Sequence, residues 1–294
     1  MCKSSRRLDG QVVVITGANT GIGKETAYEL SLRGAKIIMG CRDERRAQVA
    51  IDDIKRRNSK ADIICHKLDL SSLQSVRQFC EQVVRNETKI DVLINNAGVA
   101  FMDSQTVDGF EMAFGTNHLG HFLLTLQLLP LIKKAPKARI INLSSAIHMT
   151  GKIHFENINL RNGAYTDNKA YAQSKLANIL FTKELAKRLG SDSTINVYAV
   201  HPGGIRTELA RNVSGVTKFM ITVLLKRFLI DVNQGSQTTL HCALDESLDN
   251  ETGHYYANCL RVDDMFANAT DDRSAQQLWQ LSADWVKLED RYKL

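Results

Sequence analysis

The stretch Gln11–Gly23, QVVVITGANTGIG, constrains this chain more than any other. An unbroken apolar run stops in a glycine-rich turn, and a helical pattern begins straight after it. A run such as Gln11–Thr16, with no polar alternation, predicts a strand buried on both faces, as in a parallel sheet covered by helices. The turn needs glycine because the backbone must reverse tightly and let a ligand approach with no Cβ in the way. The helix beyond it offers unpaired N–H groups and a positive dipole end, which suit an anion such as a pyrophosphate.

The same alternation continues down the chain. Lys36–Cys41, Asp62–Leu68, Val92–Asn95, Arg139–Leu143 and Ile195–Val200 read as further strands, with a last one near Gly253–Tyr256. Helices are predicted over Gly21–Arg33, Asp43–Asn58, Gly109–Leu131, Asn168–Leu189 and Arg273–Leu288. Another runs from a Ser71–Gln74 capping box towards Asn86. Strand–helix units of about thirty residues predict an α/β fold, a Rossmann-type doubly wound parallel sheet with helices on both faces. No linker, repeat or low-complexity stretch breaks the pattern, so residues 1–294 are expected to form one dinucleotide-binding domain.

Gly17, Asn19, Thr20, Gly21, Ile22 and Gly23 are the expected pyrophosphate-binding residues. The end of the second strand should then choose the dinucleotide: an acidic residue there binds a ribose 2′-hydroxyl, whereas an arginine pairs with a 2′-phosphate. This chain has Cys41 and then Arg42, which points to NADP(H), with Lys24 and Asn19 as helpers. The other reading of Arg42 is a solvated residue opening the next helix, and Asp43 and Glu44 keep it open.

Composition removes several other classes. The formal charge of +6 comes from scattered Lys and Arg, and no nucleic-acid-reading motif accompanies it, so no nucleic-acid partner is expected. The six cysteines include no C-x-x-C pair, which gives neither a zinc site nor a disulfide framework. His118 and His121 are three apart on a helical pattern but lack a third ligand at suitable spacing; they read as packed residues, and no metal is expected. His201 reads as structural. Met1–Gly10 is polar and basic, and no run of about eighteen apolar residues appears that could span a bilayer.

Two further motifs carry a family resemblance. The fourth strand ends in Asn95-Asn96-Ala97-Gly98, and Tyr171-Ala172-Gln173-Ser174-Lys175 follows on a later helix. With the TGxxxGIG turn and a serine ending the fifth strand, they make the chain resemble the short-chain dehydrogenase/reductase family over nearly its whole length. Gly17–Glu25, Asn117–Leu124, Ser174–Phe181 and His201-Pro202-Gly203 further resemble its microsomal retinol dehydrogenase branch.

The resemblance implies an NADP(H)-dependent oxidoreductase that interconverts an apolar alcohol and its aldehyde or ketone, retinol and retinal or a related lipid aldehyde. It assigns Tyr171 as general acid/base, Lys175 to the nicotinamide ribose and to the tyrosine, Ser145 to the substrate oxygen, and Asn117 to a water beside the lysine. The chemistry agrees: Tyr171 and Lys175 share a helix face, and an ammonium there should bring a phenol of pKa near 10 towards working range. Ser144 is the neighbouring serine with which Ser145 could exchange roles. The match further implies that Asp69, Leu70, Asn96, Ala97 and Gly98 line the adenosine end, and that Pro202, Gly203, Ile205 and Thr207 close over the carboxamide.

Residues 204–232 correspond to the family's substrate lid, and 216–230 show an apolar stripe with lysines opposite. That pattern suits either packing on the protein or peripheral contact with a membrane. The branch carries an apolar anchor before its first strand, where this chain has only Met1–Leu8, so a cytoplasmic or peripherally ER-associated enzyme without an N-terminal transmembrane anchor is expected. Two rivals remain: a carbonyl reductase for steroid or terpenoid ketones, and a non-catalytic NADP(H)-binding sensor on the same fold.

Overall fold

Short runs of Val, Ile and Leu build a sheet that is covered on both sides. The computed structural model describes residues 1–191, 193–203 and 232–294. Its strands are β1 (Val12–Thr16), β2 (Lys36–Cys41), β3 (Asp62–Lys67), β4 (Val92–Asn95), β5 (Ala138–Leu143), β6 (Ile195–His201), β7 (His254–Ala257) and β8 (Leu260–Arg261). They lie in the order β3-β2-β1-β4-β5-β6-β7-β8. Neighbours pair in parallel up to β7, and β8 is antiparallel to β7. The helices are α1 (Gly21–Leu32), α2 (Glu44–Arg57), α3 (Leu73–Asn86), α4 (Met112–Phe114), α5 (Gly120–Ile132), α6 (Asp167–Leu189), α7 (Val232–Leu244), α8 (Ala267–Thr270) and α9 (Asp272–Trp285).

Alternate side chains along each strand serve two cores. Val14, Ile38, Leu93 and Ile140 pack with residues of α3, α5, α6 and α9. Val13, Ile15, Ile37 and Ile141 pack with α1, α2 and α7 on the other face. This two-sided burial is why the strands read as continuous apolar runs. α5 follows the same logic, since every residue from Gly120 to Ile132 except Pro130 is buried. No described helix is long and apolar enough to cross a membrane.

The expected sheet is therefore observed, with local differences. β3 is an edge strand, so Asp62 and Lys67 are exposed instead of buried. The cap of α3 is Ser72, whose hydroxyl accepts from Ser75 N; the Ser71–Gln74 box does not form, because Asp69 takes both the N–H and the hydroxyl of Ser71. The helix expected over Gly109–Leu131 begins at Met112, where Glu111 caps it through Ala113 N and Phe114 N. It then widens into a π-turn, Gly115–Leu119, before α5. The last strand extends into a hairpin with β8.

In this order β1 lies between β2 and β4, so the chain winds outward through β2 and β3 and returns beside β1. The crevice beyond the strand ends at such a reversal is where open α/β sheets bind ligands.

Candidate active site

The turn after β1 is built for close backbone approach. Gly17 and Gly21 have φ of 65° and 55°, the left-handed region that a side chain strains. A Cβ on Gly17 would lie 2.9 Å from Ala97 Cβ, and one on Gly23 would lie 2.5 Å from Asn96 Nδ2 and 2.7 Å from Gly17 O. The glycines thus seat the turn on the Asn96–Ala97 segment. Thr20 caps α1 without a side-chain hydrogen bond, and the first turn of α1 holds no acidic residue. Its leading N–H groups are left for an anion, so this cradle fits a pyrophosphate.

Thr16 locks the cradle to the next motif. Its hydroxyl oxygen accepts from Asn96 N and Ala97 N, both at 2.9 Å, while Asn96 Nδ2 donates to Thr16 O at 2.7 Å. Thr16 was not singled out in the sequence, although the threonine opening TGxxxGIG was the available signal.

Gly98 brings that segment over the catalytic candidates. A Cβ there would stand 3.3 Å from Asn117 Oδ1 and 3.5 Å from Lys175 Nζ. Asn117 lies in the π-turn and is fully buried. Its Nδ2 donates to Val99 O and Ser174 Oγ, both at 2.9 Å, and its Oδ1 accepts from Val99 N at 2.8 Å. Both donors are therefore spent on the protein, and one lone pair of Oδ1 remains.

Lys175 is 4% exposed, and its Nζ donates to Leu143 O at 3.1 Å. Among the described residues no carboxylate pairs with it, and burial pulls its ammonium down to about 8. A buried, unneutralised ammonium fits a ligand rich in hydroxyl groups, such as a ribose. Tyr171 stands one helical turn earlier, with its ring centroid 5.5 Å from Lys175 Nζ and 6.0 Å from the ring of Phe101. Burial pushes the Tyr171 phenol up to about 12, and a hydrogen bond with Ser145 works the other way. The lowering expected from the lysine does not emerge: desolvation of the phenolate dominates.

The two serines ending β5 divide their duties. Ser144 is buried, and its hydroxyl donates to Lys175 O at 2.7 Å, fixing α6 against the strand. Ser145 faces Tyr171 and holds only a 3.4 Å contact from Ile147 N on its oxygen. The geometry favours Ser145 over Ser144 for a substrate oxygen.

Other expected contacts spread around this centre. Arg42 is exposed beyond β2, and Asn19 and Lys24 line a cleft of about 330 Å³ together with Arg45, Arg46, Val49 and Ala50. Lys24 also pairs with Asp53 at 2.6 Å. Arg45 and Arg46 were missed in the sequence, where the signal was the basic run after the second strand. Asp69 follows β3, and Leu70 is buried, with its carbonyl 2.5 Å from where a Cβ on Gly120 would stand. Pro202 and Gly203 follow β6. Ile205, Thr207, the lid 204–232 up to residue 231 and the stretch 216–230 lie outside the described residues.

The histidines are packed. His118 Nε2 meets Ser282 Oγ at 2.9 Å, and burial brings its pKa down to about 3. His121 bridges Thr16 Oγ1 at 2.9 Å and Asn117 O at 3.0 Å, with its pKa down to about 4 from burial.

A glycine cradle at the sheet's reversal, facing a Ser–Tyr–Lys group, agrees with what the chain matches. Residues 11–216 fit the model of the short chain dehydrogenases, and the chain belongs to that family. It is also similar to retinol dehydrogenase 12 of Mus musculus, 43% identical over 98% of this chain and 90% of the relative. Retinol dehydrogenase 11 of Homo sapiens is 44% identical over 98% and 89%. The expected resemblance to the retinol dehydrogenase branch is borne out. Among solved structures, an uncharacterised protein of Mycobacterium paratuberculosis superposes with a TM-score of 0.79 at 36% identity, over 98% of this chain and 97% of that one.

Proposed function

We propose that this oxidoreductase interconverts retinol and retinal, or a related lipid alcohol and aldehyde, with NADP(H), and that Tyr171 carries the proton. The observation that carries the reading is the Tyr171 phenol hydrogen-bonded with the Ser145 hydroxyl, its ring centroid 5.5 Å from the buried Lys175 ammonium. The retinoid class is supported by the names of the relatives at 43–44% identity. NADP(H) over NAD(H) is supported by the absence of an acid at the end of β2 and by the basic cleft of Lys24, Arg45 and Arg46 with Arg42 nearby.

When bound, the nicotinamide supplies or accepts the hydride. Gly17 to Gly23 and the N-terminus of α1 would hold its pyrophosphate, and Lys175 would hold the ribose hydroxyls. Ser145 donates to the substrate oxygen and stabilises the negative charge that develops there. Tyr171 gives that oxygen its proton in reduction, and a phenol raised to about 12 keeps the proton at neutral pH. In oxidation Tyr171 must first lose it, and a bound oxidised nicotinamide would supply added positive charge that favours the phenolate. Lys175 passes the replacement proton in by way of a water that the free lone pair of Asn117 Oδ1 would hold.

Initial rates with NADPH across all-trans-retinal, steroid ketones and aliphatic aldehydes test the substrate class. Retinal is expected to turn over fastest. A rate no higher than that of a small aliphatic aldehyde would overturn the retinoid assignment, and a preference for the steroids would replace it.

A further inference from the structure

The peptide bond that follows Ser145 is held at both ends by imidazoles. His148 Nδ1 lies 2.7 Å from Ser145 O, and Ala146 N donates to His201 Nδ1 at 3.3 Å. Ser145 O and Ala146 N belong to one peptide group, so two histidines from different parts of the chain grip a single plane. A carbonyl can only accept and an amide N–H can only donate. Nδ1 of His148 therefore carries its proton, whereas Nδ1 of His201 is bare and its proton sits on Nε2. The two rings adopt opposite tautomers on the same peptide.

Each histidine sits on a fixed stretch of main chain. The His148 ring is edge-on to Tyr255 at 4.9 Å, and its main-chain oxygen accepts from Asn268 Nδ2 at 2.9 Å. The same amide nitrogen reaches Gly151 O at 2.8 Å, so the middle and the C-terminal end of the 3₁₀ turn Ala146–Thr150 are tied together. His201 ends β6, and the ladder beside it continues through Ser144 N to Val200 O at 2.7 Å. His148 Nε2 is buried with no partner among the described residues. Packing alone would be served better by an apolar side chain there, so the retained imidazole is explained by the bond its other nitrogen makes.

We propose that His148 and His201 are positioning residues, which clamp the Ser145–Ala146 peptide and so aim the Ser145 hydroxyl at Tyr171. Ser145 is extended, with φ −162° and ψ 155°; its carbonyl also accepts from His148 N at 3.1 Å, and its side chain caps the turn through the long contact with Ile147 N. Its hydroxyl therefore takes its direction from the peptide plane that follows it. A tilt of that plane moves the hydroxyl away from the phenol and the substrate oxygen. The inference rests on the reading of Ser145 and Tyr171 as the reacting pair.

The test is a set of double-mutant cycles with Ser145→Ala, using NADPH and all-trans-retinal or the fastest aldehyde of the panel. His148→Leu and His201→Leu should each lower kcat about ten- to a hundredfold with the Kd for NADPH unchanged. His148→Asn and His201→Asn, whose amide atoms reach the δ position, should stay near wild type. On the Ser145→Ala background the leucine substitutions should cost nothing more. If His201→Leu does not fold, His201→Gln takes its place, since its amide lies beyond the δ position and should be slow. Full kcat in the leucine variants, or an equal loss on Ser145→Ala, overturns the clamp while leaving the site intact. A Ser145→Ala enzyme at the wild-type rate overturns the reading of the site, and the clamp with it.

Discussion

The hydroxyl of Thr16 lies 2.9 Å from Nε2 of His121, and it is the point where the cofactor cradle and the π-turn meet. Because its oxygen already accepts from Asn96 N and Ala97 N, its proton must go to His121. His121 then donates from Nδ1 to Asn117 O. One threonine thus fixes a tautomer and, through it, the carbonyl next to the proton route.

Thr16→Val should leave the Ala97 N–H and one imidazole nitrogen unpaired in the interior, while Asn96 N keeps its bond to Ile94 O. A loss of about 2–6 kcal/mol in urea unfolding is expected, because each of the two stranded groups costs about 1–3 kcal/mol. Thr16→Ser keeps the oxygen and should recover most of it. Equal stability of the valine variant would contradict the network.

Lys175 makes stability and activity pull in opposite directions. Its pKa falls from 10.5 to about 8 on burial, so between those values the unfolded chain holds a proton that the native state has released. Stability should therefore rise with pH from about 8 to 10.5, and the cost is present in full below 8. Lys175→Met should be more stable than wild type at pH 7, by up to about 3 kcal/mol, and should lose that margin by pH 10.5. It should also be inactive. Denaturant midpoints across the pH range, with activity at pH 7, check both halves.

The buried histidines set the acid limit. His118 and His121 fall from 6.5 to about 3 and about 4 through burial, so the unfolded chain takes up protons first as pH drops. Stability from these groups is complete above about 6.5 and should fall steadily towards pH 4. His121→Gln should flatten that slope in pH-dependent denaturation; an unchanged slope would assign the acid sensitivity elsewhere.

Cofactor choice should depend on the arginines after β2. Arg42→Ala and Arg45→Ala should weaken NADPH binding far more than NADH binding, by about 1.5–3 kcal/mol for a lost charge-assisted phosphate contact. Fluorescence titration with both dinucleotides measures this. Equal losses would place the arginines away from a 2′-phosphate.

Much of this fold was legible because its signals are local. Strands buried on both faces, such as Val12–Thr16, leave an unmistakable run of branched residues, and Tyr171 and Lys175 share a helix face by spacing alone. The π-turn was not legible: where every residue of a helix is buried, one extra residue per turn changes no apolar period. The cap of α3 depended on which of two adjacent serines Asp69 would take, a contact across the loop. The roles of His148 and His201 were hidden for a further reason. Their rings bond to main-chain atoms, and a peptide group has no side-chain signature in a sequence.

Catalysis turns on the proton of Tyr171, and single-turnover reduction of all-trans-retinal by Tyr171→Phe tests this most directly. Removing one oxygen should slow the chemical step by about 10²–10⁴, with the Kd for NADPH and the unfolding midpoint close to wild type. A phenylalanine variant that reduces retinal at the wild-type rate would contradict it.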